Sequence, residues 1–402
     1  MNDRASNDGT GQKLLAAILS RWESHGASGI SARSVALAAG VQMSAIYHHF
    51  GDLGRLLETA QELALSQAAE WCEAILEMVD DVSGPAAMAP LLAATVDEWC
   101  EQQRPLAFAW REAQLTALRD PASSTSAALW TQLWRKFWSE ICNRLGLSDM
   151  GDLTAWMFDG LCAVHLIRWR RITDRASLDE LCHGWAAWME GEMGAGGEWF
   201  EAAQREVGKM GPPQEYGDDT AHAISEAAAR VVSRKGAAAL THRAVAAEAG
   251  LTLGVVSYKF RTSGNLLQSA FDAIYRRLLT APPRPEDAAV TNGEEALRFV
   301  RYGFTDRTDL LPIDEMMLAS ARNPELQAFA VPLRYLRGRG WRRTLPMLVG
   351  PERNISPIDG AIMSSLHAAR SRARLVVNDR SPPAEPDHGF EPLLRRLGLS
   401  GT

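Results

Sequence analysis

The chain has 402 residues, enough for two or more domains with their own cores, and its composition is ordinary for a globular protein. No apolar run approaches the ~20 residues of a membrane helix, and the N-terminal MNDRASNDGTGQK lacks the apolar core of a secretion signal, so a cytoplasmic protein is expected. The net charge of −7 is unevenly shared: residues 1–200 carry 15 Lys/Arg against 26 Asp/Glu, whereas residues 201–402 carry 27 against 23.

Ala, Leu, Arg and Glu outnumber β-branched residues, which predicts an all-α fold. Leu14, Leu15, Ile18, Leu19 and Trp22 recur at helical spacing and stop at Gly26, a natural left-handed terminus. Ser31 is placed to cap a second helix ending at Gly40, and a short third helix follows from about Met43 to His49 over a core of Ile46, Phe50, Leu56 and Leu57. Eleven of the 13 tryptophans then fall between Trp71 and Trp199. Trp130, Trp134, Phe137, Trp138 and Ile141 form one helical stripe, with Trp99, Trp110, Trp156 and Trp169 on neighbouring helices, and such stripes ordinarily bury area in a core.

The five cysteines, Cys72, Cys100, Cys142, Cys162 and Cys182, are odd in number and widely spaced, which argues for reduced core thiols. Cys162 with His165 and Cys182 with His183 supply too few converging ligands for a metal site, so none is expected, and these residues are assigned to a helical interface between the halves. Segments 152–171 and 177–193 are amphipathic, with Leu178, Leu181, Trp185, Trp188 and Met189 on one face. GAGG at 194–197 and GKMGPPQEYGDD at 208–219 are rich in turn formers and mark the joint, with 198–219 as linker.

Beyond the joint, Ile224, Ala228, Val231 and Val232 form a helix stopping at Gly236. Thr241 can cap the next, which runs to Gly250, and a third spans about Leu253 to Lys259. The arginines Arg334, Arg337, Arg339, Arg342 and Arg343 read as a solvated face, with an acidic ligand or partner as the other reading. Helical segments at 357–378 and 388–399 complete an expected intramolecular four-helix bundle with 152–171 and 177–193, although the short last helix leaves room for chain-to-chain dimerisation.

The two halves repeat. SARSVALAAGVQMSAIYHHFGDLGRLLETA, from Ser31, aligns without a gap on THRAVAAEAGLTLGVVSYKFRTSGNLLQSA, from Thr241, at an offset of 210 residues, and EAQLTALRDP (112–121) matches EMMLASARNP (315–324) at an offset of 203. Two short helices joined by a glycine turn form a helix-turn-helix, whose second helix enters the DNA major groove. The capped second helix, the Ala-Gly turn, the aromatic-rich third helix ending in Phe and the paired leucine opening the fourth resemble the tetracycline-repressor (TetR) family of transcription regulators.

The resemblance implies two tandem subunits, each a three-helix DNA-binding head followed by a helical ligand and dimerisation domain: residues 1–63 and 64–197, then 220–275 and 276–402. The paired helices at 152–171 and 177–193 match the family's dimerising pair. The resemblance further implies DNA contacts at Ser31, Arg33, Gln42, Met43, Ser44, Tyr47, His48 and His49, and at Thr241, Arg243, Thr252, Leu253, Gly254, Ser257, Tyr258 and Lys259. Leu53 and Ser263 stand where the family often has a phosphate-binding lysine. A small apolar or aromatic effector is expected among the tryptophans, assigned to Trp99, Trp110, Trp134, Trp138 and Trp156.

The reading segments differ, MSAIYHH against LGVVSYK, so the expected partner is a double-stranded operator with imperfect palindromic symmetry, bound by one chain as a fused pseudodimer that represses until its effector arrives. Residues 12–63 balance four bases with four acids while 222–281 hold eight bases against three acids, which admits an alternative in which only the second head grips DNA and the first half senses. A ligand-binding protein without DNA affinity is the other class. No HExxH, GxSxG, Walker loop or dinucleotide fingerprint occurs, so neither an enzyme nor a cofactor is expected.

Overall fold

The computed structural model describes residues 2–79, 82, 84–210, 218–280, 292–303, 307–376 and 388–399. These are all-helical, with no strand among them, and no helix among the described residues is long and apolar enough to cross a membrane.

The first ten helices are α1 (Asn2–Ser24), α2 (Ala32–Ala39), α3 (Ser44–Phe50), α4 (Leu53–Met78), α5 (Met88–Glu101), α6 (Arg104–Arg119), α7 (Thr125–Arg144), α8 (Gly151–His165), α9 (Arg171–Met189) and α10 (Glu198–Val207). After the joint come α11 (Asp219–Lys235), α12 (His242–Ala249), α13 (Leu253–Lys259), α14 (Ser263–Thr280), α15 (Gly293–Tyr302), α16 (Arg307–Arg322), α17 (Gln327–Tyr335), α18 (Trp341–Val349), α19 (Pro357–Val376) and α20 (Glu391–Arg396). One departure from the sequence reading lies in the linker. Residues 198–207 form α10, because Phe200, Ala203 and Val207 share one face and bury it against α9 and α17, a pattern masked by the glycines on either side.

The halves meet through α19, which packs along α8 and α9, while α20 touches α9. Leu178, Leu181, Trp185, Trp188 and Met189 are all buried on this side of α9. Close approach of α8 and α19 depends on Gly160, where a Cβ would lie 2.6 Å from the Ser365 Cβ and 2.8 Å from its Cα. Polar groups then fix the register. Trp188 Nε1 donates to Asp359 at 2.7 Å, and Arg372 reaches Asp159, which also accepts from Arg111 at 2.9 Å. Burial alone would raise the Asp159 carboxyl, but the Arg372 and Arg111 guanidiniums overrule it and hold it at about 2.

Arg334 departs from the solvated face assigned to it. It is buried, donating to the carbonyls of Ile167 and Asp174 and to His165 Nδ1 at 2.9 Å, while Arg337 bonds Ser364 and only Arg339, Arg342 and Arg343 of the cluster remain exposed. An arginine can only donate, so His165 Nδ1 is the acceptor and Nε2–H faces Asp97 Oδ1 at 2.9 Å. Burial lowers the imidazole to about 4, with Arg334 adding to that effect against the pull of Asp97.

An unfolded histidine protonates near 6.5, so the stability this group contributes is intact above that pH and is lost as the pH falls towards 4. Urea titrations of wild type and His165→Gln, whose amide can keep both contacts, should differ over this window. The wild type should lose on the order of 2–3 kcal/mol more than the variant between pH 7 and 4.5. Parallel pH profiles would contradict the assignment.

Candidate nucleic-acid interface

Two helix-turn-helix units are built alike from local chemistry. Ser31 Oγ accepts from the Ser34 amide at 3.1 Å and Ser34 Oγ accepts in return from the Ser31 amide at 2.9 Å, closing a capping box at the start of α2. Thr241 Oγ1 accepts from the Ala244 amide at 3.1 Å at the start of α12. Each helix has eight residues and ends on a left-handed glycine, Gly40 at φ 65°, ψ 34° and Gly250 at φ 66°, ψ 27°. Val35, Ala36 and Ile46 in one head, and Val245, Ala246 and Val256 in the other, face inward and hold the seven-residue helices α3 and α13.

The opposite faces are open. Ser31, Arg33, Gln42, Met43, Ser44, Tyr47 and His48 are exposed, as are Thr241, Arg243, Thr252, Leu253, Gly254, Ser257, Tyr258 and Lys259. His49 is the exception among the expected contacts. It is half-buried against α1, with Nδ1 3.7 Å from where a Cβ on Gly11 would sit. Lys259 donates to Asp218 at 2.8 Å, and Thr252 caps α13 through the Val255 amide at 3.4 Å. Glu248 pairs with both Arg230 and Arg234, and Glu226 with Arg277, so part of the basic excess of the second head is neutralised within it.

The bases of the heads adjoin: the turn Ala27–Gly29 lies against Ala237–Ala239. Beneath them, α6 crosses α16 and four charged side chains interlock across the halves. Arg119 Nε donates to Glu315 Oε1 at 2.7 Å, Arg322 Nη2 donates to Glu112 Oε1 at 2.5 Å, and Arg119 Nη1 lies 3.5 Å from Glu112 Oε2. Both carboxylates are buried. The tetrad also holds the first head, since Arg322 Nε donates to the Trp22 carbonyl and the Ala27 amide donates to Glu112 Oε1. Sequence reading missed this device. Its trace was there, because Glu112 aligns with Glu315 and Arg119 with Arg322 at the same offset of 203.

Away from the heads, the tryptophans of the first half converge. Trp99, Trp110 and Trp134 have ring centroids 4.8 to 6.4 Å apart, and Trp138 joins them through Phe158, 5.4 Å from Trp138 and 4.6 Å from Trp134. Trp130 Nε1 donates to Gln61, but the buried Nε1 groups of Trp99, Trp110, Trp134 and Trp138 find no acceptor among the described residues. Trp156 is not part of this cluster. It packs on Phe390 from the second half, 5.7 Å away.

Gly26 and Gly236, at the ends of α1 and α11, have φ 66° and 81° with ψ near 180°, a region essentially restricted to glycine. A Cβ on Gly236 would fall 2.7 Å from Arg119 Nε, and one on Gly26 would fall 2.6 Å from Arg322 Nη1. At Gly40 nothing lies within 4 Å. Gly40→Ala should therefore cost only the backbone penalty of about 1–2 kcal/mol. Gly236→Ala should cost roughly 3 kcal/mol or more, because the collision with the tetrad adds to the strain. Equal losses in chemical denaturation would show that the tetrad does not rest on these turns. Neither a protein-family model nor a curated protein matches this chain.

Proposed function

We propose that the chain is a transcription regulator of the tetracycline-repressor type, two subunits fused in tandem so that one molecule carries both reading heads. The observation that carries this reading is the pair of capped helix, left-handed glycine and short helix units at a constant offset, each turning its third helix outward. Arg33 and Arg243 are exposed and unpaired among the described residues, suited to phosphate. Met43 and Ser44 on one side, and Leu253 and Gly254 on the other, open the reading helices and would meet base edges, where apolar groups favour thymine methyls. Lys259 would exchange Asp218 for a phosphate on binding.

The tryptophan cluster supports an aromatic effector that bears hydrogen-bond acceptors. A buried donor without a partner costs about 1–3 kcal/mol, and three such indoles in contact, with a fourth joined through Phe158, are a reason for a ligand that accepts from them. Helix α6 links that cluster to the heads in three consecutive buried residues. Trp110 belongs to the cluster, Arg111 bonds Asp159, and Glu112 belongs to the tetrad beneath the heads. In the proposed mechanism a ligand among the indoles shifts α6, loosens the tetrad and changes the separation of α3 and α13, so the heads no longer fit successive major grooves.

A second reading keeps DNA binding but weights it to the second head. Lys235, Arg243 and Arg261 are exposed there without ion-pair partners, against Lys13 and Arg33 on the first head.

Selection from a random duplex pool at low salt tests the proposal. The expected product is an imperfect inverted repeat with half-site centres about 34–36 Å apart. Arg243→Ala should weaken binding to all sequences alike and reduce the salt slope by about 1, and exchanging segments 43–49 and 253–259 should invert the preferred orientation. An effect of Arg243→Ala with none of Arg33→Ala would select the second reading. No enrichment of any sequence would refute both.

A further inference from the structure

A cleft of about 600 Å³ lies between α10 and the turn into α18. One wall comes from the joint and the other from the second half of the chain. Arg205 in the last turn of α10 and Lys209 in the turn that follows line one wall, and Arg339 and Arg342 line the other. The one acid in the lining is Glu201, whose carboxylate is 3.7 Å from Arg205 Nη1. Lys209, Arg339 and Arg342 have no ion-pair partner among the described residues. The two walls approach at Gly208, where Arg339 Nη2 comes within 3.8 Å of the position a Cβ would take.

This arrangement is unlike that of the arginines buried between the halves. Arg119, Arg322, Arg334 and Arg372 each meet a carboxylate across the halves, whereas these four cations converge on a concave surface with a single carboxylate among them. Gathered like charge is unfavourable until an anion enters, and guanidinium forks match phosphate and carboxylate oxygens two at a time. We infer that the cleft binds a small, multiply charged anion whose phosphate or carboxylate groups engage Arg205 and Lys209 on one wall and Arg339 and Arg342 on the other. Such a ligand ties α10 to α18 and so fastens the joint to the second half. The inference does not depend on DNA binding, nor on the tryptophan cluster.

Isothermal titration of the full chain with inorganic pyrophosphate, ATP and citrate, at fixed ionic strength with potassium sulfate as control, tests it. At least one probe should bind once per chain with a Kd of about 0.1 mM or tighter. Binding of pyrophosphate or ATP without citrate assigns the site to phosphate esters, and binding of citrate alone assigns it to polycarboxylates. The double variant Arg339→Ala/Arg342→Ala should weaken the bound probe at least about tenfold. Should that variant fail to fold, phenylglyoxal labelling of the wild-type chain decides the matter: the probe should protect Arg339 and Arg342 but not the neighbouring exposed Arg343. No binding beyond the sulfate control, or binding that leaves both the variant's affinity and the labelling pattern unchanged, overturns the inference.

Discussion

Two carboxylates and two guanidiniums, buried where α6 crosses α16, are the constraint on which the arrangement of the molecule rests. Removing one member of such a group strands the others in a site that cannot hydrate them, at a cost of about 3–5 kcal/mol. The geometry around them is correspondingly fixed. Gly26 and Gly236 have no side chain because the tetrad occupies that space, and the turns that follow them lie side by side at the bases of the two heads. Further pairs continue the same logic away from the heads, with Arg372 on Asp159, Arg334 on Asp174 and His165, and Asp359 on Trp188. An apolar seam between α8 and α19 supplies area, and these polar contacts supply register.

The proposed function draws on that rigidity. Reading heads that must meet successive grooves need a defined separation, and a defined separation that can be altered from within is a means of control. Helix α6 is buried along most of its length and borders the tryptophan cluster, the Asp159 network and the tetrad, so a displacement at one is felt at the others. In the proposed reading, fusion of two subunits also removes the need for their surfaces to be identical. The two heads carry different side chains on their exposed helices, and the joint between halves has acquired a cleft lined by residues from each.

What was legible in the sequence was local. A hydroxyl before an apolar-periodic stretch and a glycine after it are sufficient to delimit α2 and α12, because capping and left-handed termination are settled within a few residues. The tryptophan stripe of α7 was legible for the same reason, since 3.6-residue periodicity gathers its indoles on one side. What failed to show depended on partners far along the chain. Arg334 sits in a run of arginines that reads as surface, and only the carbonyls and carboxylate of α8, α9 and the turn between them, some 160 residues away, make its burial tolerable. Trp156 looks like one more aromatic of the cluster until Phe390 takes it to the other half. Helix α10 was hidden by flanking glycines, and Glu112 by being one acid among many.

The central claim is that one chain is a complete two-headed reader, and the mass of its DNA complex tests it most directly. Light scattering coupled to size exclusion, with the protein alone and bound to duplex selected from a random pool, should give one chain per operator. Two chains per operator would place four heads on the DNA. That result would contradict the fused arrangement and assign the pairing surface to a face not used between the halves.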